Sequence, residues 1–155
     1  MSRAHVILRT MTKASGIKSR GPIERGPTAQ QVAANLRRLR VPLSMAQLVA
    51  RAAELGRTIS IDSLSSMELG RRRVDVDDLM VLAQVLGVSP LALLLPCSDG
   101  PTATVELTGS GSITAAAAWA WAEGSHPLVV SAADPAGDAI RYRLDSRPAW
   151  ARGQQ

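Results

Sequence analysis

Residues 44–70 read SMAQLVARAAELGRTISIDSLSSMELG, and the punctuation of this stretch marks out two short helices. Ser44 and Gln47 stand three apart, the spacing of a capping box, in which a hydroxyl bonds the third helical amide and the glutamine side chain reaches back. Leu48, Ala52 and Leu55 then recur at helical spacing, and Gly56 supplies the left-handed residue that closes a helix. Ser60 caps a short following helix with Leu64 and Met67 inward, closed by Gly70. Two short helices joined by a turn therefore stand at the centre of the ordered sequence.

The signals continue outward on both sides. Thr28 and Gln31 form another capping box, Val32, Leu36 and Leu39 follow on one face, and Pro42 forces an end. On the other side Asp75, with Asp78 three residues on, caps a helix carrying Leu79, Leu82, Ala83 and Leu86 and ended by Gly87. Ser89 and Pro90 open a short apolar helix, Leu91 to Leu95, which Pro96 stops. Five short helices with short connectors predict an all-α fold, a compact five-helix bundle over residues 28–98. Apolar residues make up 46% of the 155-residue chain but Phe is absent, so Leu, Val and Ala must fill the core.

Two segments flank the bundle. Residues 1–27 are rich in Gly, Ser and basic groups without periodicity and read as a disordered basic arm. Residues 99–155 form a C-terminal extension that packs on the bundle or on a second subunit. In it TATVELTG (102–109) alternates weakly and reads as a strand or an extended connector. SITAAAAWAWAEG (112–124) predicts a helix, and DPAGDAIRYRLDSRP (134–148) another, with Asp134 as cap and Pro135 first in the helix. Trp119 and Trp121 point to different faces of a helix, so both are partly buried in one domain, or one is packed and the other faces a partner.

The charge of +5 is unevenly spread: +5 over residues 1–27, +2 over 28–98 and −2 over 99–155. An anionic partner should meet the first half of the chain. No apolar run approaches the length of a membrane helix, and the N-terminal residues lack the hydrophobic stretch of a secretory signal. The single cysteine, Cys97, forms no internal disulfide, which fits a reducing cytoplasm. His5 and His126 make no metal-ligand spacing with it. Without a glycine-rich phosphate loop, a paired-carboxylate cluster or a metal set, neither an enzyme nor a cofactor is expected.

Two quoted segments carry a resemblance: LRRLRVPLSMAQLVARAAELG (36–56) and ISIDSLSSMELGRRRVDVDDLMVLAQVLGVSPLALL (59–94). Together they resemble the helix-turn-helix family of the phage lambda repressor and Cro, the XRE family, over Thr28 to Pro96. The resemblance implies a double-stranded DNA partner, a homodimer with a contact at the fifth helix, and a role in transcription regulation, most simply as a repressor. It also implies a third helix lying in the major groove and a second-helix N-terminus facing phosphate. Matched one at a time, Ile61, Asp62 and Ser66 fall where bases are touched, with Ser63 and Ser65 beside them. Ser44, the amide of Met45 and Ser60 fall near phosphate. Arg71, Arg72 and Arg73 follow where the chain passes the DNA backbone, giving affinity without sequence information. Arg38 and Glu68 align with a buried salt bridge of the family.

The chain departs from the family in two places. Met45 stands where glutamine usually contacts phosphate, and the segment from Leu48 to Ser60 is about five residues longer than usual. The extra length should extend the second helix and widen the turn, making Arg57 and Thr58 further phosphate candidates. The third helix also lacks Arg, Lys, Asn and Gln, the side chains that pair best with base edges, so it predicts modest direct readout. That weakness keeps a second expectation open: a protein-interaction or antitoxin-like module using the same bundle and the acidic, Trp-bearing extension.

Overall fold

The computed structural model describes residues 25–152, so most of the basic arm lies outside the described residues. The chain is mostly helical: α1 Pro27–Arg40, α2 Met45–Glu54, α3 Ile61–Glu68, α4 Val76–Leu86 and α5 Pro90–Leu94 come first. A hairpin of β1 Thr104–Leu107 and β2 Gly111–Thr114 follows, then α6 Ala115–Ala122, α7 Pro135–Ser146 and a 3-10 turn at Ala149–Ala151.

Four of the five bundle helices start where the sequence places them. Ser44 makes the full capping box with Gln47, and Ser60, Asp75 and Ser89 each accept from the amide three residues on. Helix α1 differs. Its cap is Gly26, Pro27 occupies the first turn, and the Thr28 hydroxyl caps nothing. Instead Thr28 and Thr108 exchange bonds, the Thr108 amide donating to Thr28 Oγ1 (3.0 Å) and the Thr28 amide to Thr108 Oγ1 (3.2 Å). A Cβ on Gly26 would lie 2.4 Å from that Thr108 oxygen, so only glycine lets the hairpin turn approach α1.

The main core is aliphatic, as the composition demands. Leu36, Leu48, Ala52, Ile59, Leu64, Met67, Leu82, Ala83 and Leu93 are buried together. At about 1.5–3 kcal/mol for each large side chain withdrawn from water, these residues provide most of the drive to pack α1 to α5. Leu55 is not among them, because α2 ends at Glu54 and Leu55 becomes an exposed C-cap. Helix α2 has ten residues, and the connector 55–60 that follows it is pinned by buried Ile59. Asn35 is buried as well; its Nδ2 donates to the carbonyls of Leu93 (3.0 Å) and Leu95 (2.7 Å), satisfying the end of α5.

A second, smaller core joins the extension to the bundle. Leu95, Val105, Leu107, Ala115 and Ala118 are buried, with Leu91, Ile113 and Trp119 packed against them. The fifth helix, expected to offer a dimer contact, packs on α1 and α4; its Leu91 also touches the smaller core, and Leu91, Ala92 and Leu94 stay half-buried. The extension also holds a small two-stranded sheet, whose first strand lies in the stretch 102–109 read as a strand or connector. Residues 112–114 pair as an antiparallel strand, Ile113 opposite Val105, before Thr114 caps α6. Trp119 packs inward while Trp121 is exposed. Helix α7 is capped by Asp134 as expected but buries no residue. No helix among the described residues is long and apolar enough to cross a membrane.

Candidate nucleic-acid interface

Helices α2 and α3 pack on each other, and they and the turns that follow them carry most of the expected site residues. At the start of α2 the capping box uses the Ser44 amide, which donates to Gln47 Oε1 (2.8 Å), and the Ser44 hydroxyl, which accepts from the Gln47 amide (3.1 Å). The Met45 side chain turns to the main core. Any anion contact at that position falls to first-turn amides, which lack intrahelical acceptors.

The outward face of α3 sets exposed apolar side chains at its two ends among polar ones. Ile61 is 48% exposed and Leu69, the C-cap, 53%, with exposed Asp62 beside them; Ser65 and Ser66 are only half-exposed. Ser63 is drawn inward by a bonded chain. Its hydroxyl accepts from Ser60 Oγ (2.9 Å) and from Arg72 Nη1 (2.6 Å), so it fixes the turn after α3 instead of standing free for a base. Gly70 adopts φ +63, reversing the chain so that Arg71, Arg72 and Arg73 follow in an exposed turn. Arg25 braces that turn by donating to the Arg71 carbonyl (2.7 Å).

One expected pairing is corrected. Glu68 pairs with Arg40 and not with Arg38: Arg40 Nε and Nη2 both bond its carboxylate, the latter at 2.9 Å, and Arg40 Nη1 holds the Leu43 carbonyl (3.0 Å). The reason is helical phase. Arg40 lies one turn beyond fully buried Leu36 and so faces α3, whereas exposed Arg38 only donates to Asn35 Oδ1 (3.2 Å). The pair holds the Arg40 guanidinium above its usual range, chiefly through its hydrogen bond to Glu68.

Arg57, expected as a phosphate candidate, is engaged by carboxylates. Its Nε donates to Asp78 Oδ1 (2.7 Å) and its Nη2 to Asp75 Oδ2 (2.8 Å), with Asp77 at 4.0 Å. Asp78 is 2% exposed, and Arg72 Nη2 approaches its other oxygen at 3.7 Å. The long connector is thereby clamped to the start of α4, and through Arg72 and Ser63 to α3. Asp75 is held below the ordinary aspartate value, first by the Asp78 amide and then by Arg57. Thr58 remains exposed beside this clamp.

The Arg57–aspartate clamp and the Arg40–Glu68 pairing were not read from the sequence. The run DVDD at 75–78 shows only its capping role until the fold brings Arg57 to it. No cluster of three potential metal ligands occurs among the described residues. None of the known protein families, curated proteins or solved structures matches this chain.

Proposed function

We propose that the protein is a sequence-dependent, double-stranded-DNA-binding regulator of transcription, acting in the cytoplasm as a homodimeric repressor. In this reading α1–α5 form a lambda-repressor-like helix-turn-helix domain. The observation that carries it is the juxtaposition of a capped α2 N-terminus, an exposed α3 and the arginine turn 71–73, braced by Arg25, on one unit. The α2 amides attract a phosphate, α3 presents Ile61, Asp62, Ser65 and Ser66 to a groove, and the arginines release counterions from the backbone.

The chemistry of α3 sets how the protein would read DNA. Ile61 offers methyl contact to thymine and Asp62 accepts from cytosine N4, while serine discriminates little. Specificity then depends on two copies reading paired half-sites and on the deformability of the DNA between them. Selection from a random duplex library at physiological salt tests this. A palindrome with half-sites about one helical turn apart is the expected result. A bound pool without any enriched motif would reduce the protein to a non-specific binder, and no bound pool would remove the DNA reading.

The exposure of Ile61 and Leu69 favours one second reading, in which the same face docks a protein, as an antitoxin does. Substituting Ile61→Ser and Leu69→Ser separates the two. Loss of a protein partner with duplex binding intact supports the second reading; weakened duplex binding supports the first.

A further inference from the structure

The exchange of Arg40 for Arg38 at Glu68 leaves an uncompensated basic surface. Between α1 and the end of α3 lies a groove of about 1030 Å³, walled by Arg25, Arg37, Arg38, Val41, Leu69 and Gly70. Arg37 and Arg38 are exposed, and among the described residues neither has a carboxylate within ion-pair distance. Glu68 also borders the groove, but Arg40 already neutralises it. Had Arg38 taken Glu68, the groove would have lost one of its cations.

We infer that this groove is a second backbone-binding surface for the same duplex, with Arg37 and Arg38 as phosphate contacts. The inference rests on the DNA-binding reading and extends its footprint from α2, α3 and the arginine turn onto α1. Position supports it. Leu69 is at once the exposed end of α3 and a wall of the groove, and Val41 leads through Pro42 and Leu43 to the α2 cap at Ser44. From the end of α3 a backbone strand would enter the groove past Glu68, whose charge Arg40 already neutralises; exposed Asp62 lies at the other end of the helix.

The chemistry favours a polyanion over a single small anion. The arginine heads are exposed and spread along the walls, with no buried donors converging on one point. Such a surface gains little from one phosphate but adds up along a strand, because each neutralised phosphate releases condensed counterions. Val41 and Leu69 would pack against sugar faces, which carry no charge.

The test is duplex binding by the full chain across a salt series, followed by fluorescence anisotropy with short duplexes of mixed sequence. Arg37→Ala/Arg38→Ala should flatten the plot of log affinity against log salt by about 0.9 per arginine removed. Arg141→Ala/Arg143→Ala removes the same charge from α7 and should leave the slope unchanged. Arg37→Gln alone, at a side chain that makes no hydrogen bond or ion pair among the described residues, repeats the measurement should the double variant melt early. An unchanged slope in both α1 variants, with a reduced one for Arg71→Ala/Arg73→Ala, overturns this inference and leaves the DNA reading standing. Equal losses in the α1 and α7 doubles also overturn it, since net charge alone would then explain them. A wild-type chain that binds no duplex overturns both.

Discussion

Helices α4 and α7 are nearly equal in length, eleven and twelve residues, and each begins with an aspartate that accepts from the amide three residues on. Yet α4 buries Leu82, Ala83 and the carboxylate of Asp78, while α7 buries nothing. The difference lies after the cap. Helix α4 repeats apolar residues at 79, 82, 83 and 86, a stripe wide enough to enter a core, whereas α7 offers Ile140 and Leu144 with arginines at 141 and 143 between them. A cap states where a helix begins; only the stripe states whether it belongs to a core.

The largest expected effect contrasts one leucine from each region. Leu64→Ala, at a fully buried position, should destabilise the bundle by about 4 kcal/mol, within the range for cavity-forming leucine deletions. Leu144→Ala on α7 should change stability by less than about 0.5 kcal/mol, the usual range for surface positions. Chemical denaturation followed by circular dichroism measures both. A large loss at Leu144 would mean that α7 is covered in solution, and the contrast would collapse.

Next in size is the choice of arginine on α1. Arg40→Ala strands the buried Glu68 carboxylate and should cost about 3 kcal/mol, the low end for broken buried pairs because Arg40 keeps 18% exposure. Arg38→Ala should cost about 0.5 kcal/mol or less. The reverse order would return the ion pair to Arg38 and fill one wall of the α1 groove with a neutralised charge.

The elements legible in the sequence are those whose determinants are local. Ser44, Ser60, Asp75, Ser89 and Asp134 each bond an amide three residues away, so sequence spacing contains the whole interaction. Thr28 has the same spacing, but Gly26 and Pro27 start the helix ahead of it, and its hydroxyl goes to Thr108, eighty residues on. Strand β2 has four residues and a partner set only by hairpin register, so its Ser112-Ile113-Thr114 passed for the start of a helix. The expected site shows the same division. Positions on α3 follow from its cap, while the engagement of Arg57 by Asp75 and Asp78 depends on tertiary approach.

That clamp predicts a pH response. Asp75 has a depressed folded-state value, so its contribution to stability is present above the ordinary aspartate range and disappears as pH falls through the depressed value. Thermal unfolding should therefore lose midpoint temperature below about pH 4, and Asp75→Asn should shrink that acid-side loss. An Asp75→Asn chain with an undiminished acid slope would assign the loss to other carboxylates.

The smallest effect belongs to α7, whose attachment rests on few bonds. The Tyr142 hydroxyl donates to the Trp121 carbonyl, and Arg147 donates twice to the Glu123 carbonyl, at 2.9 and 2.6 Å. Tyr142→Phe keeps the ring and deletes one bond, worth about 0.5–1.5 kcal/mol. Because no α7 residue is buried, that loss should not reach the bundle. Amide hydrogen exchange should speed up across 135–146 while α1–α5 keep their protection, as expected when a weakly held element opens by itself. Faster exchange in α5 as well would show that α7 and the small core beneath it open as one unit. The boundary between the two regions would then lie within α5, whose Leu93 belongs to the main core and whose Leu91 packs on the smaller one.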